Sequence, residues 1–137
     1  MALTHTDASD VVLLILGASG DLTSRLLLPG LAGLLRSGRV TGLSLIGSSR
    51  QDWTDEHWRE VVRKSFASAD TSGPGSAEAD RVARTARYVV AQVDEVSELR
   101  RLLDMCQGRR PVIYFALPPA VTEKVCQALT AIHLPEG

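Results

Sequence analysis

Six apolar residues, Val11–Leu16, run without a break into a turn holding Gly17 and Gly20, and a leucine-rich segment follows at once: VVLLILGASGDLTSRLLLPGLAGLLR, residues 11–36. An apolar run this short, bounded by turn residues, reads as a strand buried on both faces, and such strands belong to parallel sheets covered by helices. Strand, tight glycine turn, then helix is therefore the unit around which the rest of the chain must be arranged. Glycine lets the backbone of the turn approach a phosphate closely, and the first N–H groups of the helix, at its positive dipole end, point toward the anion. The functional reading is a cradle for a dinucleotide pyrophosphate; the plain one is an ordinary strand-to-helix loop. The spacing of Gly17, Gly20 and Thr23 is G-x-x-G-x-x-small rather than G-x-G-x-x-G, so its weight comes from its setting.

The remaining segments repeat the alternation. A helix is expected over 21–36, its apolar face carrying Leu22, Leu26, Leu27, Leu31, Leu34 and Leu35, with a kink or new turn at Pro29 and close helix-to-sheet approach at Gly30 and Gly33. A second strand is expected at 43–46, ending in Gly47, Ser48, Ser49 and Arg50, with no acid before Asp52. A carboxylate at that strand end would accept from a ribose hydroxyl and favour NAD; a guanidinium flanked by serines suits the 2′-phosphate of NADP. Thr54 is placed to cap a helix with Asp55 and Glu56 in its first turn and Trp58, Val61, Val62, Phe66 and Ala69 on one face. After the loop at 70–76, a polar, arginine-rich helix at 77–86 is expected to be exposed. A third strand at 88–93 places Gln92 and Val93 at its C-terminal edge, as part of an adenine wall, and a helix with Val96, Leu99, Leu102 and Leu103 follows. A fourth strand at 111–115 breaks at Ala116, Leu117, Pro118 and Pro119 before a last helix at 120–132. The order β-α-β-α-(α)-β-α-β-α makes the fold α/β, a Rossmann-like parallel sheet with helices on both faces.

The chain of 137 residues divides into a flexible N-terminus, 1–10, and one nucleotide-binding domain, 11–137. A net charge of −1 with interspersed signs gives no field for nucleic acid or an anionic membrane. The longest apolar runs are too short to span a bilayer and the N-terminus lacks the regions of a signal peptide, so a soluble cytoplasmic protein is expected. Cys106 and Cys126 lack zinc or redox spacing and are expected to be structural, and His5, His57 and His133 are scattered; no metal site and no catalytic residue is assigned.

Three segments, GASGDLTSRLLLPGL at 17–31, IGSSR at 46–50 and YFALPP at 114–119, stand in an order and at separations that resemble the N-terminal coenzyme domain of the glucose-6-phosphate dehydrogenases. YVVAQVDEVSEL at 88–99 is also similar to that family. The resemblance implies that the turn of Gly17, Ala18, Ser19 and Gly20, with Asp21 and Leu22, holds the pyrophosphate. It also implies that Arg50 binds the 2′-phosphate of NADP, and that Tyr114, Ala116 and Pro118 stand beside the nicotinamide half. It further implies hydride transfer from C1 of glucose 6-phosphate to NADP, a step of the pentose phosphate pathway, in a homo-oligomeric full-length protein that takes a sugar phosphate.

Two substitutions depart from the family pattern: Arg25-Leu26 where Arg-Lys is usual, and Val93 where an aromatic is often found. The family's Glu-Lys-Pro lysine and its substrate domain follow YFALPP further along, so the present chain reads as a coenzyme domain cut before its substrate domain, unable to complete the reaction alone. Two other readings stand beside it. One is a short-chain or NmrA-like reductase, which also begins with GASG after a strand but wants a Tyr-x-x-x-Lys pair. The other is a non-catalytic NADP-binding module.

Overall fold

The computed structural model describes residues 6–68, 73–106 and 108–132. The chain enters through a two-residue strand, β1 (Thr6–Asp7), paired in parallel with β3 (Val40–Thr41). The loose stretch expected through residue 10 is therefore corrected from residue 6 onward. The Ala8 N–H donates to the Thr41 carbonyl at 2.7 Å, and the Ala8 side chain is buried. This polar segment is ordered because its backbone groups find partners on a neighbouring strand. His5, Ala69, residues 70–72 of the loop expected at 70–76, and His133 lie outside the described residues.

The apolar run forms β2 (Val11–Leu16). With β4 (Ser44–Ser49), β5 (Arg87–Val90) and β6 (Arg110–Phe115) it makes a four-stranded sheet, all parallel, in the order β5-β4-β2-β6. Side-chain alternation sends Val12, Leu14 and Leu16 to one face and Ile15 to the other, so β2 is buried from both sides. On the Ile15 face lie α1 (Leu28–Arg36), α2 (Asp55–Ala67) and α3 (Ser76–Thr85), with Leu28, Leu35, Trp58, Val62 and Val82 in the core. On the opposite face α4 (Val96–Asp104) and α5 (Pro119–Thr130) bring Leu99, Leu102 and Val125 against Leu14 and Ile46. Each fully buried leucine, isoleucine or valine contributes about 1.5 to 3 kcal/mol of transfer free energy.

Helical backbone begins at Asp21 and passes through a π segment, Thr23–Leu27, in which the Leu28 N–H reaches back to the Thr23 carbonyl. Pro29 then sits in the first turn of α1. The wider π turn accommodates the proline ring, and a missing N–H is tolerated at a helix start, so the chain continues without a break. The close approach expected at Gly30 and Gly33 is not found, since a Cβ at either position would meet nothing within 4 Å.

Two strand ends move, and one helix differs in its exposure. β4 runs on through Ser49, and a Cβ at Gly47 would stand 2.6 Å from the Trp58 ring, so the missing side chain is what lets Trp58 pack across the strand. β5 ends at Val90, although Ala91 and Val93 beyond it remain buried. The exposed helix expected at 77–86 is corrected: α3 buries Ala79, Val82 and Ala83, because its small apolar residues share one face. At its start Glu78 accepts from the Gly42 N–H at 2.6 Å and from Arg81, whose guanidinium also reaches the Leu43 carbonyl at 2.8 Å. The hydrogen bonds to Arg81 hold the Glu78 carboxyl below its ordinary value. Cys106 is buried, which pushes its thiol pKa up, whereas Cys126 is exposed and has no structural burial.

Candidate functional site

The turn after β2 is fixed by backbone groups. The Gly17 and Ala18 N–H groups both donate to the Ser48 carbonyl, at 2.9 and 3.0 Å, and the Gly20 N–H closes onto the Gly17 carbonyl at 3.0 Å. Gly17 has φ +88°, and a Cβ there would lie 2.2 Å from the Ala116 carbonyl oxygen. Only glycine fits, on grounds of both conformation and space. Gly20 lacks a positive φ, and its hypothetical Cβ would stand 3.2 Å from the Gly17 oxygen and 4.0 Å from that of Ala116. The Ala116 N–H in turn holds the Leu16 carbonyl at 2.8 Å, so the tips of β4, β2 and β6 are tied together. Thr23 Oγ1 donates to the Gly17 carbonyl at 3.3 Å, and Ser19 N–H finds no acceptor among the described residues.

The neighbouring turn after β4 is fixed by side chains. Tyr88 Oη donates to the Gln51 carbonyl at 2.8 Å, the Gln51 N–H donates to Ser49 Oγ at 3.1 Å, and Ser49 Oγ and Tyr88 Oη are hydrogen-bonded to each other. With the tyrosine proton committed to Gln51, the serine hydroxyl donates to Tyr88 and a closed ring results. That ring brackets Arg50 between two anchored residues. Burial pushes the Tyr88 pKa up, as does the Asp52 charge, against the opposing effect of its bonds to Ser49. The ring of Tyr88 is further held by Trp53 and Trp58, with centroids 5.7 and 6.2 Å away.

A cleft of about 400 Å³ opens at the C-terminal tips of the strands. Of the expected site residues it is lined by Gly17, Ser19 and Gly20 on one turn, Arg50 on the next, Val93 after β5, and Ala116 and Pro118 after β6. Ala18 lies beneath, fully buried. Four expected residues fall outside it. Asp21 is exposed and paired with Arg25 at 2.6 Å. Gln92 is exposed, because it alternates with the buried Ala91 and Val93. Leu22 and Tyr114 face a separate apolar depression of about 370 Å³ with Leu13, Leu26 and Leu34. Tyr114 is there because β6 turns Tyr114 and Val112 toward that side and Phe115 and Ile113 toward the other core.

Residues 14–137 match the family described as glucose-6-phosphate dehydrogenase, NAD binding domain. The chain belongs to that family. A glucose-6-phosphate 1-dehydrogenase of Dickeya dadantii is 31% identical over 133 residues, covering 94% of this chain and 27% of the relative. One of Kluyveromyces lactis is 28% identical over 130 residues, covering 88% and 26%. The solved structure of a glucose-6-phosphate dehydrogenase in complex with its substrate glucose-6-phosphate superposes with a TM-score of 0.80 at 25% identity, covering 99% of this chain and 30% of that one. The chain thus spans about a quarter of the length of the curated relatives. These matches support the dehydrogenase reading over the short-chain reductase and the non-catalytic module.

Within this glucose-6-phosphate dehydrogenase domain, sequence reasoning missed cleft-lining Gln51, Asp94 and Lys124. Ser49, expected beside Arg50, does line the cleft, and Gln51 was reachable as the other neighbour of Arg50; no motif marks Lys124. Among the described residues no group of three His, Cys, Asp or Glu is placed to hold a metal ion, and no helix is long and apolar enough to cross a membrane. The donor set fits a dinucleotide phosphate: a glycine turn too tight for a side chain at Gly17, an uncommitted Ser19 N–H, and the guanidinium of Arg50.

Proposed function

We propose that the chain is the coenzyme-binding part of an NADP-dependent glucose-6-phosphate dehydrogenase, which moves hydride from C1 of glucose 6-phosphate to NADP and gives 6-phosphogluconolactone. The observation that carries the reading is the pairing, in one cleft, of the Gly17 turn with Arg50 at the end of a strand that has no carboxylate before Asp52. The turn offers N–H dipoles to the pyrophosphate, and Arg50 offers a two-pronged cation to the 2′-phosphate. Ala116 and Pro118 wall the far end of the cleft, where the nicotinamide would lie over β6. Hydride acceptance is the chemistry that NADP supplies when bound. The chain's own part is to fix the coenzyme's position and face, which lowers the barrier by orientation. Ser49, Tyr88 and Gln51 serve this by holding the Arg50 turn.

Calorimetric titration of the 137-residue chain with NADPH and NADH tests the proposal. Wild type binds NADPH the more tightly. Arg50→Ala loses a charge-assisted phosphate contact worth about 1.5 to 3 kcal/mol, roughly ten- to a hundredfold in Kd, for NADPH only. Equal affinities of wild type for the two nucleotides would overturn the NADP assignment.

A further inference from the structure

Lys124 lies on α5, one turn beyond Val121, and both residues line the cleft that contains Gly17, Ser19 and Gly20. Val125 and Ala128 of the same helix are buried in the core, so the segment that carries the lysine is firmly seated. Arg50 and Lys124 are the two cationic residues lining the cleft among the described residues. Asp94 lines it too, but no ion pair joins it to Lys124. Glu123, next in sequence, points elsewhere on the helix, since adjacent helical residues do not face each other.

Strand order decides what each cation can meet. Arg50 follows β4 and Lys124 belongs to the helix after β6, and β2 with its glycine turn stands between those strands. A dinucleotide with its 2′-phosphate at Arg50 must therefore carry its pyrophosphate across the glycine turn, on the way toward β6. We propose that the Lys124 ammonium pairs with that pyrophosphate, a proposal that rests on the coenzyme reading of the cleft. A flexible stem carrying a compact charge suits a diphosphate, where negative charge is spread over several oxygens and no single bidentate geometry is required. The pyrophosphate is common to NADP and NAD. Lys124 thus supplies affinity without discrimination, and Arg50 supplies discrimination.

Titration of NADPH and NADH into wild type, Lys124→Gln and Lys124→Arg tests the assignment, with circular dichroism to verify folding. Lys124→Gln weakens both nucleotides together by about five- to tenfold, leaves their ratio unchanged, and Lys124→Arg restores most of the loss. Wild-type affinity in Lys124→Gln overturns the proposal, and so does a loss confined to NADPH, which would put the lysine at the 2′-phosphate. If wild type binds neither nucleotide, the coenzyme reading itself fails and this one with it.

Discussion

Two turns stand side by side at the tips of β2 and β4, and they are held by opposite means. The turn at 17–20 is tied by main-chain bonds to Ser48 and pressed against the Ala116 carbonyl, with almost no side-chain contribution. The turn at 49–51 is tied by the side chains of Ser49 and Tyr88 to the main chain of Gln51. The first can lie against an anion because it has nothing projecting from it. The second must present a long charged side chain, and so needs an external brace. A backbone-held turn tolerates few residue types, whereas a brace fails gradually as its hydrogen bonds are removed.

The two glycines of the first turn give the sharpest contrast and the largest effect. Gly17→Ala places a methyl group against the Ala116 carbonyl in a left-handed conformation and destabilises the fold by about 3 kcal/mol or more. Urea unfolding measures this. Gly20→Val has a normal φ and only a close contact with the Gly17 oxygen, so it leaves a folded chain whose branched side chain occupies the phosphate's place and abolishes nucleotide binding. Gly17→Ala with wild-type stability would contradict a turn held by its backbone, and Gly20→Val with wild-type binding would contradict a phosphate seat at that turn.

The brace yields a smaller effect. Tyr88→Phe removes two hydrogen bonds of a buried hydroxyl and costs about 1 to 2 kcal/mol in unfolding free energy. It also weakens NADPH more than NADH, since a loosened turn misplaces Arg50. The pH dependence has a definite sign. The folded pKa of Tyr88 is raised, so its contribution is fully present below the unfolded value of about 10 and is lost as pH rises through the folded value. The stability gap between wild type and Tyr88→Phe narrows over that alkaline range. A gap that is constant with pH would mean that the Tyr88 pKa is the same in the folded and unfolded chains.

These differences also explain what could be read from the sequence. Main-chain demands are local, so Gly17, Gly20 and Pro119 announced the turn and the last helix directly, and the apolar run announced the central strand. The brace joins Ser49 to Tyr88 across 39 residues, and no local pattern encodes that pairing. Tyr114 lies outside the cleft for a related reason. The motif YFALPP fixes position along the chain, but which side of β6 a residue faces depends on the strand's alternation relative to both cores. Gly30 and Gly33 gave a packing signal that the structure does not use. Leu26, more than half exposed beside Leu22 and Tyr114, stands in the apolar depression on the other side of the sheet from the α4 and α5 core.

Coenzyme entering the cleft between the two turns would be seen in backbone amide chemical shifts during titration with NADP. The expected shifts concentrate at Ser19, Gly20, Arg50, Gln51, Val93 and Lys124, with little change at Leu26, Leu34 and Tyr114. Shifts gathered around Leu22, Leu26 and Tyr114 instead, with Ser19 and Arg50 unmoved, would contradict entry into the cleft.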